Sequence, residues 1–172
     1  MSLSSQVALL ESDSTNPAAQ AMLRLIENVL NGGDVDCSGT PFIPQGWTYD
    51  ENDKDRVKSA FRGKLKAGQI FANLHLEEGQ KTGTMNGDSL RLALEGKLVL
   101  TAHCMDFVLR PENQHLIPDE LKGKYIPFWG SIYRDSNGDA CVRFLFWDGG
   151  CWDWRGGWID HDFDARGPGP LL

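Results

Sequence analysis

The sequence lacks any run of roughly 18 apolar residues, which predicts that no segment of it spans a membrane. Its first residues, MSLSSQVALLESDS, lack a basic start followed by a long apolar stretch, so we expect no secretory signal. Cytoplasmic residence is the default expectation, and no membrane partner is predicted.

Positive charge is scarce. Lys and Arg together number 17 against 24 Asp and Glu, which gives a formal net charge of −7. Binding to the phosphate backbone of nucleic acid needs clustered basic side chains. We therefore expect no nucleic-acid partner.

Catalytic and cofactor motifs are missing as well. The sequence has no P-loop, no dinucleotide-binding fingerprint, no G-x-S-x-G motif and no C-x-x-C pair. The cysteines have no zinc-ligand spacing with the histidines, so we expect free thiols at Cys37, Cys104, Cys141 and Cys151. No cofactor is predicted.

The length and the order of patterns predict an α+β fold, with N-terminal amphipathic helices packed on an antiparallel sheet that ends in a three-stranded C-terminal meander. We expect a flexible N-terminus over 1–15 and a single domain over 16–172. Within it, the helical part covers about 16–122 and the meander about 125–160. An acidic, Gly- and Pro-containing tail is expected to leave the sheet over 160–172.

Helix signals are clearest near the start of the domain. Asn16 is a good capping residue and Pro17 suits the first helical position. Apolar spacing predicts a second helix over about Asn52 to Ala67. Shorter helices are expected after Asp88 and after Thr101.

Two turn signals divide the C-terminal segment. Both DSNGD and WDGGC suggest three-residue hairpin loops, with Gly138 and Gly150 in the left-handed conformation. The loops fix the register, so Ile132 is expected opposite Val142 and Phe146 opposite Trp152. The predicted core face carries Phe128, Ile132, Val142, Phe144, Phe146, Trp152 and Trp154. A two-residue loop at Asp148-Gly149 is the alternative, and it would move Trp152 and Trp154 to the other face.

The opposite face is predicted to carry the functional site. In this register Arg143 lies directly opposite Arg155, and like charges at such positions are unfavourable unless something neutralises them. The neutralising group is Asp153, the acidic tail or an anionic ligand. Since aromatic and arginine side chains are favoured at interfaces, we predict a binding site on this face. Its residues are Arg143, Arg155, Trp129, Tyr133, Trp147 and Asp153.

Two other kinds of site are weighed as alternatives. A Cys–His or Asp–His catalytic site would be built from Cys104, His103 or His161. A metal site of oxygen ligands would use Asp160, Asp162 and Asp164, although alternate residues of a regular strand point to opposite sides, which leaves His161 facing away.

The leading functional prediction is a non-enzymatic binding or interaction domain. Its aromatic and arginine face is expected to recognise an anionic ligand, a peptide or a partner surface. A helix or a homodimer copy covering the same face is the structural alternative. A small hydrolase and a purely structural homo-oligomer are the competing functions.

Overall fold

The computed structural model describes residues 16–172, without the side chains of residues 24, 25 and 27–31. Its α-helices are, in chain order, α1 (Pro17–Asn31), α2 (Glu78–Thr82), α3 (Gly87–Ala93) and α4 (Ala102–Val108). Three 3-10 helices add short turns, at Ala67–Gln69, Pro111–Leu116 and Asp119–Leu121. The predicted flexible segment 1–15 lies outside the described residues.

Most strands are short and three are long. The short ones are β1 (Asp34–Asp36), β2 (Thr48–Tyr49), β3 (Lys64–Lys66), β4 (Leu74–His75), β5 (Met85–Asn86), β9 (Asp162–Phe163) and β10 (Gly169–Pro170). The long ones are β6 (Tyr125–Arg134), β7 (Ala140–Trp147) and β8 (Trp152–Trp158).

The main sheet has four antiparallel strands in the order β2-β6-β7-β8. Three two-stranded antiparallel pairs accompany it: β1 with β3, β4 with β10, and β5 with β9. The predicted α+β class with antiparallel sheets is confirmed.

Helix α1 begins where the sequence predicts. The side chain of Asn16 accepts a hydrogen bond of 2.9 Å from the backbone N–H of Ala18, which satisfies one of the unpaired donors of the first turn. Pro17 occupies the first helical position. The layering of the N-terminal helices on the sheet stays a prediction.

The predicted second helix is wrong. Residues 50 to 60 form successive turns in which aspartates bond to the backbone two residues on, Asp50 to Asn52 N at 2.8 Å and Asp53 to Asp55 N at 2.8 Å. Such local bonds compete with helix formation, and they outweigh the apolar spacing here. The following Lys64–Lys66 is strand β3.

The first hairpin of the main sheet has the predicted loop. Asp135 N bonds to Asp139 O at 3.0 Å, Gly138 has φ 86°, and Ile132 pairs with Val142. Further along, the register shifts, and Phe144 pairs with Pro127, whereas the unbroken register of Ile132 and Val142 would place it opposite Gly130. The N–H of Gly130 bonds to Leu100 O at 3.0 Å, so β6 departs from β7 there to meet another segment.

The second hairpin differs from the prediction by one residue. Trp147 pairs with Trp152, which leaves a four-residue loop, and Gly149, with φ 101°, is its left-handed residue instead of Gly150. The carboxylate of Asp148 accepts hydrogen bonds from the N–H groups of Gly150 and Cys151, both at 2.9 Å, which favours the longer loop.

This one-residue change reverses the faces of β8. Leu145 now pairs with Trp154, and Arg143 pairs with Gly156. The predicted opposition of Arg143 and Arg155 is therefore wrong, and so is the assignment of Trp152 and Trp154 to the face of Phe144. The alternative with a two-residue loop, which places both tryptophans beside Arg143 and Leu145, has them on the correct face although its loop is too short.

Both faces of the main sheet are packed. One buried cluster includes Phe128, Tyr133, Leu145 and Trp152, together with residues of β1, β3 and α4. The other cluster includes Trp129, Ile132, Val142, Ile159, Phe163 and Leu171. The main sheet is thus the middle layer, and neither of its faces is entirely open to solvent.

The segment predicted as a tail belongs to the second cluster. Strand β10 pairs with β4, and Leu171 is only 8% exposed. The backbone of residues 170–172 bonds to Leu100, Asn73 and Leu98 at 3.0, 2.9 and 2.9 Å. The segment lies outside the main sheet, yet it is not a free tail, because strand β4, far away in sequence, supplies partners for its backbone.

Candidate functional site

Arg143 is the best-enclosed charge in the described part of the chain, with an exposure of 1%. Its Nη1 donates to Asp106 Oδ1 at 2.8 Å and to the carbonyl oxygen of Phe42 at 3.2 Å. Asp106 Oδ2 in turn accepts from the backbone N–H of Phe42 at 2.9 Å. The guanidinium therefore joins β7, helix α4 and the loop before β2.

Aromatic rings complete the surroundings of Arg143. The Cζ atom lies 4.4 Å from the ring centroid of Trp154, 5.0 Å from that of Phe42 and 5.9 Å from that of Tyr133. Such contacts stabilise a cation most when water is excluded. Burial raises the pKa of Tyr133, whose hydroxyl donates to Phe42 O at 3.2 Å.

The group that neutralises Arg143 is Asp106. The candidates predicted from the sequence to neutralise Arg143 are Asp153, the acidic tail and a ligand. Helix α4 supplies the carboxylate instead. Because α4 lies 37 residues earlier in the chain, no local pattern points to this pair.

The six predicted binding residues are divided between the faces. Arg143, Tyr133 and Trp147 lie on one face with Trp152 and Trp154. Asp153 and Arg155 lie on the other face, where both are exposed. The Cζ atom of Arg155 lies 4.5 Å from the ring centroid of Phe146. Trp129 is buried in the second cluster against Phe163, with ring centroids 4.9 Å apart.

The catalytic alternative has no assembled Cys–His pair among the described residues. The Sγ of Cys104 lies 3.6 Å from that of Cys37, and both residues are fully buried. The hydrogen bond between them raises the pKa of the Cys104 thiol and lowers that of Cys37 to about 7. His103 Nδ1 contacts Thr101 Oγ1 at 2.9 Å, and burial lowers its pKa. His161 is exposed and packs against Trp158.

Thiol labelling should separate the cysteines. Cys151 is exposed while Cys37, Cys104 and Cys141 are buried, so we expect one rapidly reacting thiol per native chain and four after unfolding. Asp148 raises the pKa of Cys151, so the rapid phase should accelerate as the pH is raised and more thiolate forms. A chromogenic disulfide reagent measures both, and Cys151→Ser should remove the rapid phase.

A rapid phase that remains in the Cys151→Ser variant would contradict this assignment. It would mean that one of the buried thiols is accessible in the native state.

The three aspartates of the metal alternative have separate partners. Asp162 accepts from Thr84 Oγ1 at 3.2 Å, and Asp164 pairs with Arg166 at 2.7 Å and bonds to Tyr125. Asp160 is exposed and lies 3.9 Å from His161. Over residues 16–172 no three His, Cys, Asp or Glu side chains are grouped so that they could hold a metal ion.

A groove lies between α1, the 3-10 helices at 111–121 and the end of the β7–β8 hairpin. We call it the α1 groove. It consists of two cavities of about 490 and about 440 Å³. They share the residues Ala21, Leu116, Pro118 and Glu120.

The floor of the larger cavity is aromatic. Trp147 and Trp152 meet edge to face, with ring centroids 5.5 Å apart. The ammonium of Lys122 lies 4.4 Å from the ring centroid of Trp147 and 2.7 Å from Asp119 Oδ1. An apolar floor with a few charged groups at its rim is typical of a ligand-binding groove.

Only one of the residues that line this groove is among the predicted binding residues. Trp147 is among the predicted binding residues, whereas the segment HLIPDELKGK contains none of them. Its apolar residues Leu116 and Ile117 followed by Pro118 are the signal that a packed wall, and not a solvated loop, lies there.

Comparisons with protein-family models, with curated proteins and with solved structures find no match to this chain. None of the helices over residues 16–172 has the length and apolar character needed to cross a membrane.

Proposed function

We propose that the protein is a non-enzymatic binding domain and that the α1 groove is its binding site. The observation that carries the proposal is the floor of Trp147 and Trp152, which is bordered by Lys122 and opens into about 490 Å³ of space. Grooves of about 300–1,000 Å³ are the usual size for small-molecule and side-chain recognition. The proposal moves the predicted site from the whole arginine face to its open end at Trp147.

The occupant that fits best is a segment of a partner protein. Tryptophan is enriched among the residues that dominate binding energy, because its large flat ring buries much apolar area. A peptide could place an apolar or aromatic side chain between Trp147 and Leu116. A basic side chain of the same peptide would meet Glu120 and Asp119, the latter with a side chain 84% exposed.

Charge favours this partner over a small anion. The protein has a net charge of −7, and Lys122 at the groove is already paired with Asp119. A small anionic ligand remains an outcome of the test. Residence in the cytosol belongs to the same proposal and is supported by the four free cysteines.

The predicted layering of N-terminal helices on the sheet is also part of the proposal. Ala18, Ala21 and Met22 of α1 line the groove, so the helix would form one of its walls. The C-terminal strands would then supply the floor through the β7–β8 hairpin.

The test is selection of peptides on the immobilised protein from a random display library. We expect the selected peptides to combine an aromatic or aliphatic residue with a basic one. Trp147→Ala should raise the Kd of the tightest-binding peptide by at least about tenfold, as is typical when a central tryptophan is truncated. Fluorescence polarisation measures this Kd.

Lys124 provides the matched control because it is an exposed lysine two residues from Lys122 and outside the groove. Lys122→Ala should strengthen the binding of a basic peptide, because it frees Asp119 and removes a like charge, and Lys124→Ala should leave binding unchanged. Peptides that bind wild type and Trp147→Ala equally well would overturn the assignment of the groove. Selection of purely acidic peptides, or inhibition by inorganic phosphate, would favour a small anion over a partner segment.

A further inference from the structure

Strand β8 is an outer strand of the main sheet. It pairs with β7 on one side, and in the described part of the chain no strand pairs with its other side. The opposite edge of the sheet is the two-residue strand β2. Long exposed edges are templates for pairing with another strand, and short ones are not.

The hydrogen bonds at the two ends of the β7–β8 pair show which groups of β8 point outward. Asp148 N bonds to Cys151 O at 3.2 Å, and Ile159 N bonds to Ala140 O at 3.0 Å. Hydrogen-bonded pairs alternate along an antiparallel ladder, so the odd-numbered residues of β8 face β7. The backbone groups of Trp152, Trp154 and Gly156 therefore face away from β7.

The side chains along this edge are self-complementary. Asp153 and Arg155 lie on the same face of the sheet and are both exposed. If two copies of β8 run antiparallel with Trp154 opposite Trp154, each Asp153 lies directly opposite the other copy's Arg155. Opposite charges at facing positions stabilise a strand pair.

We propose that β8 pairs with β8 of a second copy of this chain, in antiparallel register about Trp154, to form a homodimer with a continuous sheet. The backbone groups of Trp154 would exchange two hydrogen bonds across the axis, and those of Trp152 would bond to Gly156 of the other copy. Asp153 and Arg155 then form non-hydrogen-bonded pairs, in which facing side chains are closest.

One local contact supports this register. In the monomer the outward N–H of Trp154 donates to the carboxylate of Asp153 at 2.7 Å. On pairing, the carbonyl of the second Trp154 replaces that carboxylate, which releases Asp153 to bind Arg155. Arg155 lies over the ring of Phe146 of β7 on the same face, and on pairing its guanidinium would turn from β7 toward the outer edge.

Charge reversal tests the proposal, with mass measured by light scattering after size exclusion over a hundredfold range of concentration. Wild type should be a dimer at the upper concentrations. Asp153→Arg should weaken the dimer at least about tenfold, since Arg then faces Arg, and Arg155→Asp should do the same because Asp faces Asp. The double variant Asp153→Arg/Arg155→Asp should restore the dimer.

An equimolar mixture of the two single variants gives the sharpest result. One carries two arginines and the other two aspartates, so they should form a heterodimer although neither forms a homodimer. Lys124→Ala, another change of surface charge, should stay dimeric. Thermal melting of each variant checks folding, which changes at exposed positions should leave intact.

A monomeric wild type at every concentration would overturn the proposal. So would a dimer that survives both single reversals, or a double variant that stays as weak as the single ones. Because neither Asp153 nor Arg155 lines the α1 groove, failure here would leave the proposed binding function untouched.

Discussion

Replacing Asp106 with alanine is expected to lower the free energy of unfolding by about 3–5 kcal/mol, the usual effect of leaving one partner of a buried ion pair unpaired. Arg143 would keep its positive charge at 1% exposure and lose the carboxylate that pairs with it. The N–H of Phe42 would also lose its acceptor. Urea unfolding followed by tryptophan fluorescence measures the change.

A second substitution separates charge from packing. Methionine at position 143 retains much of the volume beside Trp154 and removes the cation, so Arg143→Met/Asp106→Ala should be more stable than Asp106→Ala alone. The non-additivity of the cycle measures the coupling between the two side chains. A loss below about 1 kcal/mol for Asp106→Ala, a value typical of exposed pairs, would show that water reaches Arg143.

Leu171→Ala is expected to lower the free energy of unfolding by about 2–5 kcal/mol, the range for truncating a buried leucine. The adjacent Leu172 is the matched control. Leu172 is 39% exposed against 8% for Leu171, so Leu172→Ala should change stability by about 0.5 kcal/mol or less.

Deletion of residues 167–172 should have a larger effect than either substitution. It removes strand β10, the burial of Leu171 and the backbone bonds to Leu100, Asn73 and Leu98. Since domains are stable by only about 5–15 kcal/mol, we expect loss of the native near-ultraviolet circular dichroism at room temperature. Equal stability of Leu171→Ala and Leu172→Ala would contradict the burial of this segment.

Local chemistry explains the parts of the fold that the sequence predicts well. Asn16 and Pro17 start helix α1, and DSNGD fixes the pairing of Ile132 with Val142, because caps and tight turns depend on neighbouring residues alone. The predicted helix over 52–67 failed for a local reason too, since aspartate turns outweighed its apolar spacing.

The candidate site was predictable only in part. The sequence placed Trp147 among the candidate residues, but its reason for neutralising Arg143, an opposed Arg155, is wrong. Asp106 and the wall at 114–120 come from segments that no hairpin rule connects with these strands. The homodimer considered from sequence is now proposed at the edge of β8 and not on the arginine face.

The sequence by itself determined the α+β class, the free cysteines, the start of α1 and the first hairpin, all of which follow from composition or from contacts within a few residues. Only the tertiary structure decided which tryptophans lie on the same face of the sheet as Arg143, and where residues 167–172 pack. One additional residue in the loop at Asp148 reverses every side chain of β8, because side chains alternate along a strand. The segment 167–171 is buried for a similar reason, since its partners β4 and Leu100 become neighbours only when the chain folds.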